Sequence, residues 1–412
     1  VHFHSDNYWF SGSETTLLAL LADAFRTDRD SASFTYRAWP EYEAGLRARL
    51  DPSVDARALR LPDPAEFKAA LIGGRGRAAA WAVKGVSRLL PLRSACLAAD
   101  VARLGRLFRS ERPGLVHVNN GGFPGAISCN AATIAAHRAG LPVVYVVNNQ
   151  ALRYDGLARL AGWGKDRLVG RSVTRFVTGS HAAAAALGGV LGSGTTEIEV
   201  IPNTILAGCA DEAAATTRRR LGLPAGGHVI VTGARLERRK GHAHLIDAVS
   251  RLPADIRQHV TLVFAGQGPE RDDLERRIAG AGLGMTIRLV GNQANMWNLY
   301  NIADLVVLPS TGFEDFPIVV LEAMAAGRPV IGTRMAGIPE QVVDGETGSV
   351  VPPADAAALA AAIESLLHDP ERRAAMGAAG RARFDANYAP AMVVGQYRAL
   401  HRRLMEEHPT WA

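Results

Sequence analysis

A chain of 412 residues is too long for one core and suggests two domains, each large enough to bury its own. Its 48% apolar and 21% charged residues suit a globular protein, and three scattered cysteines (Cys96, Cys129, Cys209) without CxxC spacing argue against a disulfide framework or a zinc site. No leader peptide is visible and no apolar run nears the roughly 18 residues of a membrane span, so a cytoplasmic setting is expected; a formal charge of +6 favours anionic ligands without demanding nucleic acid.

In chain order, short apolar runs alternate with helical patterns, which is the mark of parallel α/β sheets. The first strand candidate, Val1–Ser5, leads through Asn7-Tyr8-Trp9-Phe10 into Ser11-Gly12-Ser13-Glu14 and an apolar helix, Thr15–Phe25. The aromatic lead-in suits a wall for a ligand, since sugars and apolar tails stack on rings, and equally suits the core. Asp28-Arg-Asp30 imitates a metal-binding Asp-x-Asp but stands between a helix and a strand, as a turn does. Further strands are expected at Phe34–Trp39, Leu115–Asn119, Val143–Val147, Thr174–Thr178 and Glu199–Ile201. Between about Leu50 and Pro113 no crisp strand is legible. From position 75 to 112, nine Lys and Arg face only Asp100 and Glu111, a local net of +7. The plain account is the solvated face of two or three helices; the sharper one is a basic surface docking on anionic lipid or holding an acidic ligand.

The second half repeats the alternation, with strands expected at His228–Thr232, Thr261–Ala265, Thr286–Val290, Asp304–Leu308, Val330–Gly332 and near Ser349–Val351. Six and six read as two Rossmann-like domains, followed by a last helix, Pro390–Glu407. In Gly233-Ala-Arg235-Leu-Glu-Arg-Arg-Lys240-Gly241, a strand runs into a glycine-bearing turn; Arg235 can fork onto phosphate oxygens and Lys240 acts as a point charge. Arg238 and Arg239 read as surface. Gly266-Gln-Gly268-Pro-Glu270 lacks the third glycine of a dinucleotide fingerprint, because position 271 is Arg, so NAD binding is not expected. The most informative stretch runs from Ser310 through Glu314-Asp315-Phe316-Pro317-Ile318-Val319 to Glu322, Gly327 and Pro329. It reads as strand, loop, a helix beginning at Pro317, and a glycine stop. A helix start above a strand end offers backbone N–H groups to an anion, and sugar hydroxyls would satisfy two carboxylates there.

That stretch resembles the Glu-x7-Glu signature of retaining glycosyltransferases of family 4, and Arg235 with Lys240 matches the family's Gly-Arg-Leu-x-x-x-Lys-Gly. The resemblance implies the α/β GT-B fold: two tandem Rossmann-like domains facing each other across a cleft. It places an acceptor domain at 1–203, with residues 389–412 packing back on it, and a donor domain at 204–388. It implies a transferase of the EC 2.4 hexosyl type, moving a sugar from a UDP- or GDP-linked donor to a hydroxyl acceptor with retention. No cofactor and no metal are expected, since Arg235 and Lys240 would neutralise the leaving diphosphate while Glu314 orients the sugar. Glu322 would hold the ribose. Gly12, Asn119, Gly233, Gly291, Asn292, Asp315, Phe316, Pro317, Ile318 and Val319 would line the donor. Ser11, Asn119, Asn148 and Asp315 depart from the family's Gly, His, His and Gly. The partners implied are a nucleotide sugar and a small-molecule, glycan or lipid-linked acceptor, without nucleic acid. A peripheral position on the inner membrane face, through residues 75–112, stays open. An epimerase on the same fold and an inactive sugar-nucleotide-binding subunit are the rival readings; Asn119 and Asn148 speak against the first, and intact Arg235, Lys240, Glu314 and Glu322 against the second.

Overall fold

The computed structural model describes all residues except 11, 28–31, 65–91, 152–161, 193–196, 207, 313 and 411–412. Two compact units emerge: Val1–Ile201 with Val394–Ala412, and Pro202–Val393. Each is built on one parallel sheet.

The first unit's sheet has seven strands: β1 (His2–Ser5), β2 (Ser33–Arg37), β3 (Ala56–Leu59), β4 (Val116–Asn120), β5 (Val143–Val147), β6 (Arg175–Thr178) and β7 (Ile198–Val200). Their order is β3-β2-β1-β4-β5-β6-β7. Six were expected. The additional strand, β3, is an edge of sequence Ala-Arg-Ala-Leu whose residues are half-buried or exposed. It carries neither the β-branched run nor the alternation that marks a strand in a sequence. Next to it, the helix Leu92–Glu111 packs on the helix Ile127–Arg138 over β4 and β5, with Leu104, Phe108, Ile134, Val118 and Tyr145 in a common core.

The second unit's sheet has the order β10-β9-β8-β11-β12-β13, from β8 (His228–Gly233), β9 (Val260–Ala265), β10 (Ile287–Gly291), β11 (Leu305–Leu308), β12 (Val330–Thr333) and β13 (Gly348–Val351). Both faces are covered. Ile230, Leu262, Phe264, Leu305 and Val307 belong to one core cluster, and Val229, Val231, Val263, Val306 and Leu308 to another. Burial on both faces explains why these strands read as continuous apolar runs. In each sheet the strand order reverses once, between β1 and β4 and between β8 and β11, and open α/β sheets bind ligands beyond the strand ends at such points.

The first unit's second piece is most of the helix Pro390–Glu407. Within that unit, His401 Nε2 lies 3.0 Å from His117 Nδ1, Arg398 pairs with Asp23 at 2.6 Å, and Arg403 pairs with Glu199 at 2.6 Å. His117 therefore points into the packed interior, as its strand position suggests. At the start of the second unit, Asn203 Nδ2 donates to Phe316 O (2.9 Å) and Thr204 Oγ1 to Tyr388 O (2.6 Å).

Candidate active site

In the second unit the strand ends are drawn together by close backbone approaches that only glycine permits. A Cβ at Gly266 would stand 2.0 Å from Ala234 O, and one at Gly268 would stand 2.4 Å from Leu236 O. Gly241 has φ +73°, and its Cβ would come 1.8 Å from Pro309 O. That last approach seats the single turn Arg238–Lys240 against the loop that follows β11, where Thr311 N donates to Arg239 O at 2.7 Å. Lys240 Nζ consequently reaches Glu314 Oε1 at 2.5 Å, and Ser310 Oγ donates to the same oxygen at 2.7 Å. Ser310 is itself held by Thr333 Oγ1, which donates to its carbonyl at 2.6 Å. Glu314 is buried, and this cation and hydroxyl are what make its burial tolerable.

Arg239 lies 3.9 Å from Glu314 and pairs with Glu237 at 2.9 Å, so it belongs to this cluster and is not the free surface residue its sequence position suggests. Arg235 is more exposed, and it too pairs with Glu237, at 3.1 Å. Three cations thus surround two acids on the loops after β8 and β11.

The helix that follows spans Ile318–Ala325 and begins one residue later than expected; Pro317, at ψ 127°, is the extended residue before it. Its carbonyl accepts from Gln341 Nε2 at 3.1 Å. Asp315 and Phe316 are buried, Ile318 and Val319 half-buried. One turn into the helix, Glu322 accepts a 2.6 Å hydrogen bond from Tyr300 Oη. Burial pushes the Glu322 carboxyl up in pKa, partly offset by the tyrosine. Tyr300 and Val319 also lie against Gly233, whose added Cβ would meet Val319 Cγ2 at 3.4 Å and Tyr300 Oη at 3.6 Å. The structure therefore gathers Lys240 with Glu314, and Gly233 with Val319 and Glu322. Tyr300 was missed in the sequence, where it reads as one more core aromatic; the only available signal was that a buried phenol needs a partner. Gly291, at φ +68°, accepts from Gly266 N at 2.8 Å, and Asn292 beside it is exposed.

In the first unit the loops after β1, β4 and β5 meet. Gly12 is exposed and its carbonyl caps Thr15 N at 3.2 Å, while neighbouring Ser11 lies outside the described residues. Asn7 Nδ2 donates to buried Glu14. Asn119 is itself buried: its oxygen accepts from Asn148 Nδ2 at 2.8 Å, so Asn148, half-buried, is the amide nearer the surface. Of the aromatic lead-in, Phe10 packs inward on Tyr42 (6.2 Å between centroids), whereas Tyr8 and Trp9 are exposed. Behind the loop a buried polar chain follows β1. Ser128 Oγ donates to Asp6 Oδ2 (2.7 Å), His4 Nε2 lies 3.0 Å from Ser128, and Thr35 Oγ1 lies between His4 Nδ1 (3.0 Å) and His2 Nε2 (2.9 Å). Burial drives His4 down to about 3. Asp28 and Asp30 lie outside the described residues, as do the basic positions 75, 77, 84 and 88. Arg93, Arg103, Arg106 and Arg109 are exposed on the helix Leu92–Glu111, and Arg112 is exposed just beyond it. Among the described residues no helix is long and apolar enough to cross a membrane.

Residues 11–204 match the family model described as a glycosyl transferase 4-like domain, and residues 214–383 match the model for glycosyl transferases group 1. Among curated proteins, the chain is 31% identical over 244 residues to D-inositol 3-phosphate glycosyltransferase of Arthrobacter sp. (strain FB24), covering 57% of this chain and 58% of that one. It is 33% identical over 290 residues to glycogen synthase of Mycobacterium tuberculosis, covering 68% and 66%. The matched stretch thus takes in somewhat more than half of these relatives' length. Among solved structures, Anabaena HepE in complex with UDP-glucose superposes with a TM-score of 0.75 at 20% identity, over 98% of this chain and 99% of that one, a likeness of fold. Sucrose-phosphate synthase of Thermosynechococcus elongatus gives 0.70 at 20% identity, over 98% and 99%. With one family model on each unit and the whole two-domain fold shared with such enzymes, this chain belongs to the group 1 glycosyltransferases, with a glycosyltransferase 4-like N-terminal domain on the GT-B fold.

Proposed function

We propose that the protein transfers a sugar from a nucleoside diphosphate donor to a hydroxyl acceptor, with retention of configuration and without a metal ion. The observation that carries this reading is the pairing of Lys240 and Arg239 with Glu314, and of Arg239 and Arg235 with Glu237, at the strand-order reversal of the second sheet. Cations fixed at that point are placed to neutralise a departing diphosphate, and losing one such group from a dry site typically costs about 3–4 kcal/mol of barrier. Glu314 orients the sugar's hydroxyls. Glu322, which accepts from Tyr300, keeps acceptor capacity for the ribose hydroxyls. The first-turn N–H groups of Ile318 and Val319, which a helix leaves without intrahelical acceptors, meet the phosphates. The acceptor oxygen attacks from the face the diphosphate leaves, and the phosphate takes the acceptor's proton. Relatives support this class of donor: the HepE structures hold UDP and UDP-glucose, and a mannosyltransferase of Mycolicibacterium smegmatis, 36% identical over 178 residues, is described as GDP-mannose-dependent. The exposed arginines between 93 and 112 support a peripheral contact with anionic lipid.

The test is incubation with a panel of UDP- and GDP-sugars, with and without EDTA, following nucleoside diphosphate release and the anomeric configuration of the product by proton NMR. Turnover that persists in EDTA with an unchanged anomer is expected. Failure with every donor, or an inverted product, overturns the reading, and loss of activity in EDTA overturns its metal-free part.

A further inference from the structure

We propose that Tyr8, Trp9 and Trp39 form a stacking platform for a pyranose or cyclitol ring, and that this ring is the acceptor. Calling the ring the acceptor rests on the function proposed above; the platform itself does not.

Large aromatic side chains are rarely left in water without reason. Here Tyr8 is 46% and Trp9 53% exposed, although Phe10, the next residue, turns inward against Tyr42. The inward turn is built in: a Cβ at Gly45 would stand 2.3 Å from Phe10 Cβ. The exposed rings are not loose. Tyr8 stands edge-on to Trp9 (centroids 5.0 Å, 73°) and tilted to Trp39 (5.0 Å, 57°). Trp39 is fixed twice, by its indole N–H donating to Asp6 Oδ1 at 3.0 Å and by the Arg37 guanidinium 4.7 Å from its ring centre. A ring held in place before binding loses little entropy when a ligand lies on it.

The neighbouring groups select the ligand's chemistry. Asn7 follows Asp6 into the same loop, and its Oδ1 lies 3.2 Å from where a Gly121 Cβ would be; the next glycine, Gly122, faces Asn149 at 3.8 Å. Asn7, next to Tyr8 in the chain, thus brings a side-chain amide, with the small Gly121 against it, to the loop that carries the platform. Amides offer donors and acceptors together, which suits hydroxyls. Asn7 Nδ2 is already bonded to Glu14, but an acyl chain would cover Asn7 Oδ1 without offering it a donor, which is costly. The buried charges behind the rings are already matched, Asp6 by Arg37 at 3.7 Å and Glu14 by Asn7, so they do not select for an anion. Rings for C–H faces beside amides for hydroxyls describe a saccharide or cyclitol.

The full chain and its Trp9→Ala, Trp9→Phe and Tyr8→Ala variants are titrated with methyl α-glucoside, maltotriose and myo-inositol, followed by tryptophan fluorescence and saturation-transfer NMR. Vesicles of dioleoylphosphatidylglycerol form a second arm and UDP a third. Expected are binding of at least one ring compound, weakening of about tenfold in Trp9→Ala, recovery in Trp9→Phe, and unchanged UDP affinity. Because Trp9 is on the surface, its truncation should leave the fold intact, which circular dichroism checks. Equal binding by wild type and Trp9→Ala overturns the proposal, as does the absence of ring binding. Trp9-dependent binding to vesicles alone also overturns it, since it makes the rings a lipid contact. Ring binding that survives in a protein releasing no nucleoside diphosphate would keep the platform and sink the transferase reading, so the two failures are distinct.

Discussion

A buried carboxylate is tolerable only when something supplies it with hydrogens or opposite charge, and the two glutamates of the second unit are supplied differently. Glu314 has a lysine, a serine and, further off, an arginine; Glu322 has a tyrosine, and its pKa is raised. Glu314 is thus already supplied by a cation and a hydroxyl, whereas Glu322 gains most from an additional hydroxyl. Glu322→Ala is accordingly expected to weaken UDP or GDP binding by about tenfold, the scale of one hydrogen bond to a charged group. Calorimetry measures it, and an unchanged Kd removes Glu322 from the site. Under the proposed role, Glu314→Ala would free Lys240 and lose the hold on the sugar, so kcat should fall by more than KM rises. Equal losses in both would contradict an orienting role.

Between elements, the contacts that matter are backbone against backbone. Gly241 lets the turn bearing Lys240 lie against Pro309, and no side chain fits there in either space or torsion. Gly241→Ala is expected to push the turn away from the β11 loop, break the Lys240–Glu314 pair and lower turnover at least tenfold, with a drop in Tm. A variant as active as the wild type would show that the close approach is dispensable. The strands of both sheets were legible because burial on two faces writes itself as runs of Val, Ile and Leu. The edge strand Ala56–Leu59 was not, because an exposed edge imposes no such pattern. The motif carried the proximity of Lys240 to Glu314 but not the part of Arg239, since adjacent arginines on a turn look alike until the loop opposite is known. Tyr300 stands 22 residues before its partner, Glu322, in a separate helix, a pairing that only tertiary structure makes. The extra histidine contacts along β1 were hidden for the same reason: period-2 alternation says which face a residue takes, not what waits there.

Across the whole molecule, histidines burden the two units unequally. In the first, His2, His4, His117 and His401 are buried and their pKa values are lowered by desolvation, His4 and His401 to about 3. In the second, His242 alone among the described residues is lowered, to about 4. A folded pKa below the unfolded value near 6.5 means that the unfolded chain binds the proton more readily. Stability is then complete above about pH 6.5 and declines toward pH 3–4, by up to about 1.4 kcal/mol per pH unit for each such histidine. Asp100, pushed up to about 6 by burial, works in the opposite sense, but it is one group against four. On acidification the first unit should therefore lose hydrogen-exchange protection before the second; simultaneous loss, or the reverse order, would refute this.

The second unit runs unbroken from Pro202 to Val393, while the first is written in two pieces, the later one beginning at Val394. A ribosome has therefore delivered everything the second unit needs before the first is complete. Until the helix Pro390–Glu407 emerges, the nascent sheet leaves Phe3, His117 and Asp23 without Tyr397, His401 and Arg398, and Val394, Leu400 and Leu404 are not yet there to be buried. The half of the protein that is synthesised first is the half that finishes folding last.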